Sequence, residues 1–193
     1  MNVQDAIKWM SQFNDKIQAN KDYLSELDRP IGDGDHGSNM ARGMAAVMEE
    51  LTNKEFTKTS EVFKTVGMQL LSKVGGASGS LYGSAFVGIS KGIDTQAFVD
   101  SMQDALDMII KRGKATVGEK TMVDVWTPVI QDLRENKLSL DNITAYVETT
   151  KDIVATKGRA SYVGERSLGH LDPGSQSTAY LFEALIESGV AYE

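Results

Sequence analysis

Leu27-Asp28-Arg29-Pro30-Ile31-Gly32-Asp33-Gly34-Asp35-His36-Gly37-Ser38-Asn39 crowds three carboxylates into a short turn broken by glycine and proline. Carboxylates this close repel one another unless a cation sits among them. A hard divalent cation, completed by phosphate oxygens, is the commonest answer. Asp33 and Asp35 flank Gly34, so one turn can aim both at a single point. Asp28 lies five residues earlier, across Pro30. The competing view is a solvated acidic turn with a helix cap. Gly32, Gly34 and Gly37 around the three aspartates tilt the balance toward a metal site. An oxygen-only ligand set favours Mg²⁺. Zinc would have to use His36, and the chain has one other histidine, His170, and no cysteine. A calcium-binding helix-loop-helix needs a closing glutamate at the twelfth position, which counted from Asp28 is Asn39. The chemistry implied is that of a phosphate-handling enzyme.

Three further loops carry polar chemistry. Gly75-Gly76-Ala77-Ser78-Gly79 stands before a helical stretch. Free backbone N–H groups at a helix start attract anions, glycines let them converge, and Ser78 adds a donor. No Gly-Lys-Ser/Thr ending follows, so this is not a P-loop, and no strand pattern precedes it. The loop 112–121 contributes Gly113 and leads through Lys120-Thr121 to Met122, which suits either the face of a purine or an ordinary core. The segment 157–174 is long for a structureless connection in a compact domain. Its Arg159 and Arg166 can address phosphate bidentately. Tyr162 and the Asp172-Pro173-Gly174 turn can shape a pocket wall. The alternative is a surface loop in which Arg166 pairs with Glu165 or Asp172.

The elements that must hold these loops read as helices throughout. Val3, Ile7, Met10, Phe13 and Ile17 recur three or four apart, and the stripe runs on toward Leu24 and Leu27. A second helix is expected from Ser38 or Asn39, either of which can cap it, and carries Met40, Met44, Val47, Met48 and Leu51. A third spans 59–73 with Val62, Phe63, Val66, Leu70 and Leu71 inward. The glycines at 75–79 predict a tight bend and a fourth helix over 80–90. A fifth is expected over 95–111 and a sixth from Met122, with a kink or restart near Thr127 because Pro128 lies within it. A seventh is expected over 140–156 and an eighth over 175–188. The fold class is therefore all-α: a barrel or bundle of eight antiparallel helices forming one domain over 1–193. In an up-and-down arrangement the loops after the first, third, fifth and seventh helices share one end. Those are the four chemical loops, while the connections near 52–58, 91–94 and 135–139 are plain.

Composition narrows the partners. The chain has 193 residues, 41% hydrophobic, enough for one sizeable core. A formal charge of -7 argues against bulk attraction to nucleic acid or an anionic membrane. No apolar run is long enough to span a bilayer. The Met1-Asn2-Val3-Gln4-Asp5 start lacks the basic and apolar regions of a signal peptide. These features and the missing cysteines predict a cytoplasmic location.

Taken in order, Ile31 to Gly37 with Asn39, Gly75 to Gly79, Lys120-Thr121-Met122 and Gly158 to Gly174 resemble the motifs of one family. They are similar to those of the ADP-binding L subunits of phosphotransferase-system-dependent dihydroxyacetone kinases. They are also similar to the C-terminal nucleotide domain of the ATP-dependent enzymes. The resemblance covers essentially the whole chain. It implies a barrel of eight antiparallel helices with nucleotide at one end. It places the family's metal-binding, catalytic aspartates on Asp28, Asp33 and Asp35, holding two Mg²⁺ ions against the diphosphate. It places nucleotide contacts on His36, Gly37, Ser38 and Asn39, on Ala77 and Ser78, on Gly113, Met122 and Arg159, and on Asp172, Pro173 and Gly174. It implies ADP kept as a coenzyme, phosphorylated to ATP by a phosphohistidine on an M subunit. The acceptor is dihydroxyacetone held on a K subunit.

Two other functions compete. One is the nucleotide domain of an ATP-dependent dihydroxyacetone or fatty acid kinase, usually fused to an acceptor domain; an end at Glu193 favours the separate subunit. The other is a nucleotide-loaded interaction module signalling to a transcriptional regulator.

Overall fold

The computed structural model describes residues 1–191. Eight α-helices follow one another: α1 Val3–Asp28, α2 His36–Asn53, α3 Thr59–Lys73, α4 Gly76–Gly92, α5 Phe98–Gly113, α6 Val123–Glu135, α7 Leu140–Thr149 and α8 Pro173–Ser188. Two 3-10 segments, Thr150–Asp152 and Arg159–Ser167, lie between α7 and α8. Among the described residues there is no strand. Each helix packs on its successor, and α8 returns to pack on α1, which closes the ring. No helix in the described residues is long and apolar enough to cross a membrane.

Local chemistry sets the ends. Asn2 and Asp5 form a reciprocal capping box at α1: Asp5 N–H donates to Asn2 Oδ1 at 3.0 Å, and Asn2 N–H to Asp5 Oδ2 at 2.7 Å. Ser139 caps α7 through Asn142 N–H, and Asp172 caps α8 through Ser175 N–H. Pro173, just inside α8, has no N–H to leave unpaired.

The core joins the inner faces of all eight helices. Trp9 lies fully buried among Phe63, Phe86 and Phe98, with its ring edge-on to Phe63 at 5.8 Å. Its indole N–H donates to Leu181 O at 2.8 Å, so α1 and α8 are tied by a bond as well as by packing. Trp126 on α6 meets Phe182 on α8 edge-on at 4.9 Å.

Several expected details give way. α2 begins at His36, ahead of Ser38 and Asn39, and Ser38 instead donates to Asp35 O at 2.9 Å. α4 begins at Gly76, inside the glycine run that was expected to precede it. Gly76 takes φ +69°, a left-handed value that suits glycine, and the helix turns straight out of it. α5 begins at Phe98 instead of Thr95. α6 passes through Pro128 without a restart. The proline falls in the second turn, so one missing bond is set against burial of Trp126, Val129 and Ile130. α7 stops at Thr149, and a 3-10 turn takes the chain away from the expected helix over 140–156. Leu71, expected inside, is exposed.

Candidate functional site

One end of the barrel gathers the loops after α1, α3, α5 and α7 around an open cavity of about 190 Å³. This is the alternation expected of an antiparallel ring.

Asp28 closes α1 with its carboxyl turned inward, 9% exposed. Its Oδ2 accepts the N–H groups of Asp35 at 3.0 Å and His36 at 3.2 Å, which folds the 28–36 turn back over the end of the helix. Asp33 and Asp35 are more exposed, and one carboxylate oxygen from each of the three aspartates comes within 4.8 Å of the others. Burial raises the Asp28 carboxyl above its ordinary value, and the charges of Asp33 and Asp35 add to that rise, against the pull of the two N–H groups. Asp33 is raised by desolvation but lowered more by its hydrogen bonds and by the guanidinium of Arg159, with which it pairs. Three converging hard oxygens suit Mg²⁺, and no soft ligand is available, because His36 turns away.

His36 opens α2 but points into the barrel, 6% exposed. Its Nδ1 lies 3.0 Å from Ser78 Oγ, and its Nε2 lies 2.9 Å from Ser177 Oγ. Burial pushes its pKa down to about 4, so the ring is neutral. It joins the first and second polar loops to α8. Asn39 sits beside Gly75, with its Oδ1 accepting from Arg42 at 2.7 Å. Arg42 also donates to Lys73 O at 3.1 Å, so the start of α2 is fastened to the end of α3.

At the start of α4 no side chain caps the helix, and Gly76, Ala77 and Ser78 line the cavity. Uncapped N–H groups at a helix start make an anion cradle. Across the cavity stand Met122, nearly buried, and the Asp172-Pro173-Gly174 turn. Burial raises Asp172 to about 6. Arg159 reaches over from the long segment to Asp33.

The cavity lining therefore contains Asp28, Asp33, Asp35, His36, Asn39, Ala77, Ser78, Met122, Arg159, Asp172, Pro173 and Gly174. Three other expected contacts lie outside it. A Cβ on Gly37 would fall on the carbonyl oxygen of Lys21, so this glycine allows α2 to cross α1 closely. Ser38 faces outward. Gly113 is exposed at the end of α5 and reaches the lining through Leu81.

Sequence reasoning placed Lys120 only at the edge of a motif. The structure makes it the anchor of this end, 1% exposed with φ +61°. Its Nζ donates to the carbonyls of Thr150 at 2.5 Å, His170 at 2.5 Å and Ile153 at 3.2 Å. Burial lowers its pKa, opposed by Asp172, Asp124 and Asp152. Asp124, also missed, accepts the N–H groups of Gly118 at 2.5 Å and Thr121 at 2.8 Å and shapes the turn into α6. The signal for both was a lysine and an aspartate bracketing an apolar helix start, which looks like ordinary surface charge. Ser177, Thr178 and Tyr82, fully buried behind His36, were read only as parts of helices.

The chain has relatives among known proteins. Residues 30–187 match the DAK2 domain. The chain is 56% identical over 188 residues to the PTS-dependent dihydroxyacetone kinase, ADP-binding subunit DhaL, of Lactococcus lactis, covering 97% of this chain and 98% of that one. It is 37% identical over 196 residues to the PEP-dependent dihydroxyacetone kinase, ADP-binding subunit DhaL, of Escherichia coli, covering 93% of each. The dihydroxyacetone kinase of C. freundii, solved in complex with AMP-PNP and Mg²⁺, shares the fold with a TM-score of 0.75 at 23% identity. That likeness covers 96% of this chain and 33% of the larger one. A match to most of the chain, with relatives aligned nearly end to end, establishes that it belongs to the DAK2 domain family.

Proposed function

We propose that this chain is the ADP-carrying subunit of a phosphoenolpyruvate-dependent dihydroxyacetone kinase. In this reading it accepts a phosphoryl group from a phosphohistidine-bearing M subunit onto bound ADP and delivers it to dihydroxyacetone on a K subunit. The observation that carries the proposal is the convergence of three carboxylates with the uncapped start of α4 in one cavity. Asp28, Asp33 and Asp35 would hold Mg²⁺, two ions in the family pattern, offsetting three carboxylates and a diphosphate.

Phosphoryl transfer asks a protein for alignment and charge stabilisation more than for a nucleophile. Bound Mg²⁺ supplies the positive charge that offsets the phosphate oxygens. The chain's own residues do the rest. The α4 start and Ser78 orient phosphate, Met122 and the 172–174 turn form the wall for the base, and Arg159 meets the anion at the mouth. Neutral His36, enclosed between two hydroxyls, positions and is not a phosphate carrier.

The test is to denature the purified protein and identify released nucleotide, comparing it with Asp33→Asn. ADP or ATP in near-stoichiometric amount, lost in the variant, is expected. Native protein that takes up no ADP under Mg²⁺ overturns the proposal. Phosphoryl transfer only when both partner subunits are added separates the subunit from an ATP-dependent kinase domain.

A further inference from the structure

The wall assigned to the nucleotide base is assembled from two segments distant in sequence. Met122 immediately precedes α6, and Asp172, Pro173 and Gly174 open α8. The two segments abut: a Cβ added to Gly174 would lie 3.9 Å from both Cβ and Cε of Met122, an ordinary van der Waals contact. A surface of this kind holds a flat ring by dispersion, and a radial gap of about 0.5–1 Å forfeits a quarter to a half of that attraction. The register of the two segments therefore bears on affinity for the base.

A closed circuit of hydrogen bonds sets that register. Ser175 Oγ donates to Thr121 O at 2.9 Å, joining residues 54 apart in sequence. Ser175 N–H donates to Asp172 Oδ2 at 2.7 Å. Asp172 N–H donates to Thr150 Oγ1 at 3.0 Å, and the same hydroxyl donates to Val147 O at 2.7 Å. Thr150 O accepts the Lys120 ammonium at 2.5 Å, and Lys120 is the chain neighbour of Thr121, which completes the circuit. Ser175 and Thr150 are fully buried, and neither lines the cavity.

We propose that Ser175 and Thr150 are positioning residues for the base: they hold Met122 and the 172–174 turn together as one wall, and ADP affinity depends on them although neither touches the nucleotide. The inference rests on the nucleotide reading of the cavity. The phosphates belong to another part of the site, the start of α4 and the aspartates of the 28–35 turn. α8 meets that part through His36, whose ring contacts Ser177 Oγ and the Pro173 carbonyl. Ser175→Ala spares those contacts and the α8 cap, because the cap uses the Ser175 N–H. It also orphans no carbonyl, since Thr121 O keeps the Asp124 N–H at 3.0 Å. What it removes is the direct bond between the two halves of the wall.

Calorimetric titration of the full chain under Mg²⁺, with ADP and with pyrophosphate, separates the two parts, because pyrophosphate has no base. Ser175→Ala is expected to weaken ADP roughly three- to tenfold, the worth of one hydrogen bond, and to leave pyrophosphate unchanged. Thr150→Val, close to isosteric, is expected to show the same split. Thr150→Ser, which keeps the hydroxyl, is expected to restore ADP affinity. Equal losses for ADP and pyrophosphate mean a merely structural role, and they overturn the inference while leaving the nucleotide reading standing. Undiminished ADP affinity in Ser175→Ala does the same, as does a Thr150→Ser variant no better than Thr150→Val. Native protein that binds no ADP overturns both.

Discussion

Arg159 and Asp33, 126 residues apart in sequence, form an ion pair at the mouth of the cavity. The guanidinium holds the carboxylate that a metal would otherwise engage, so cation and arginine compete for Asp33. An exposed pair of this kind adds little stability. Its effect is on binding. Arg159→Gln is expected to strengthen Mg²⁺ binding measured without nucleotide, because Asp33 is released. The same change is expected to weaken ADP roughly tenfold, because a bidentate phosphate donor is gone. Calorimetric titration with Mg²⁺ alone and then with ADP reads both signs. Loss of affinity for both refutes the competition.

Asp28 differs from its two partners because its carboxyl also holds backbone. Its Oδ2 takes the N–H groups of Asp35 and His36. Asp28→Asn keeps an oxygen for them, while Asp28→Ala leaves them without it. The alanine variant is expected to lose about 1–3 kcal/mol in urea denaturation, and the asparagine variant much less. Both are expected to lose Mg²⁺-dependent ADP retention. Equal stability of the two would show that the carboxyl does not organise the turn.

Much of this end of the molecule was legible in residue spacing. Helix periodicity placed eight helices, and their alternation put four polar loops on one side, where the cavity lies. Boundaries at glycine were not legible. Gly76 starts α4 because its left-handed φ lets the chain turn directly into the helix, and propensity reads the same residue as a breaker. Gly37 looked like part of a ligand turn, but its lost side chain serves the crossing with α1. Lys120 was hidden for another reason. A lysine is expected in water, and only three carbonyls brought together by distant segments make burial of its ammonium tolerable.

Asp172 predicts a pH dependence of stability. Burial raises its carboxyl from 3.8 to about 6 in the folded protein. Between those values the folded state keeps a proton that the unfolded chain has lost. The contribution to stability is thus full below 3.8 and declines as pH rises through about 6. A shift of this size corresponds to about 3 kcal/mol. Asp172→Asn keeps an oxygen for Ser175 N–H and removes the charge. In nucleotide-free protein the variant is expected to gain on the wild type in urea as pH rises from about 4 to about 6 and to keep that gain at higher pH, with the gap closing toward pH 4. A gap that does not vary with pH would assign the effect to packing.

Lys120 predicts a different kind of defect. Its ammonium joins the turn before α6 to the start of the Thr150–Asp152 segment, to Ile153 just past it, and to His170, two residues ahead of the α8 cap. Thr150 Oγ1 also accepts Asp172 N–H at 3.0 Å, so loosening Thr150 frees the cap directly. Lys120→Met fills similar space but takes a charged donor from three carbonyls. It is expected to cost about 3 kcal/mol in denaturation, the worth of hydrogen bonds to a buried charge. Lys120→Arg should restore little, because a planar fork cannot reproduce three donors from one nitrogen. Hydrogen exchange separates this from a general loss of stability. Amides at 150–153 and 170–175 should exchange faster than those of the α1 core around Trp9, and uniform acceleration would show that Lys120 is no local clamp.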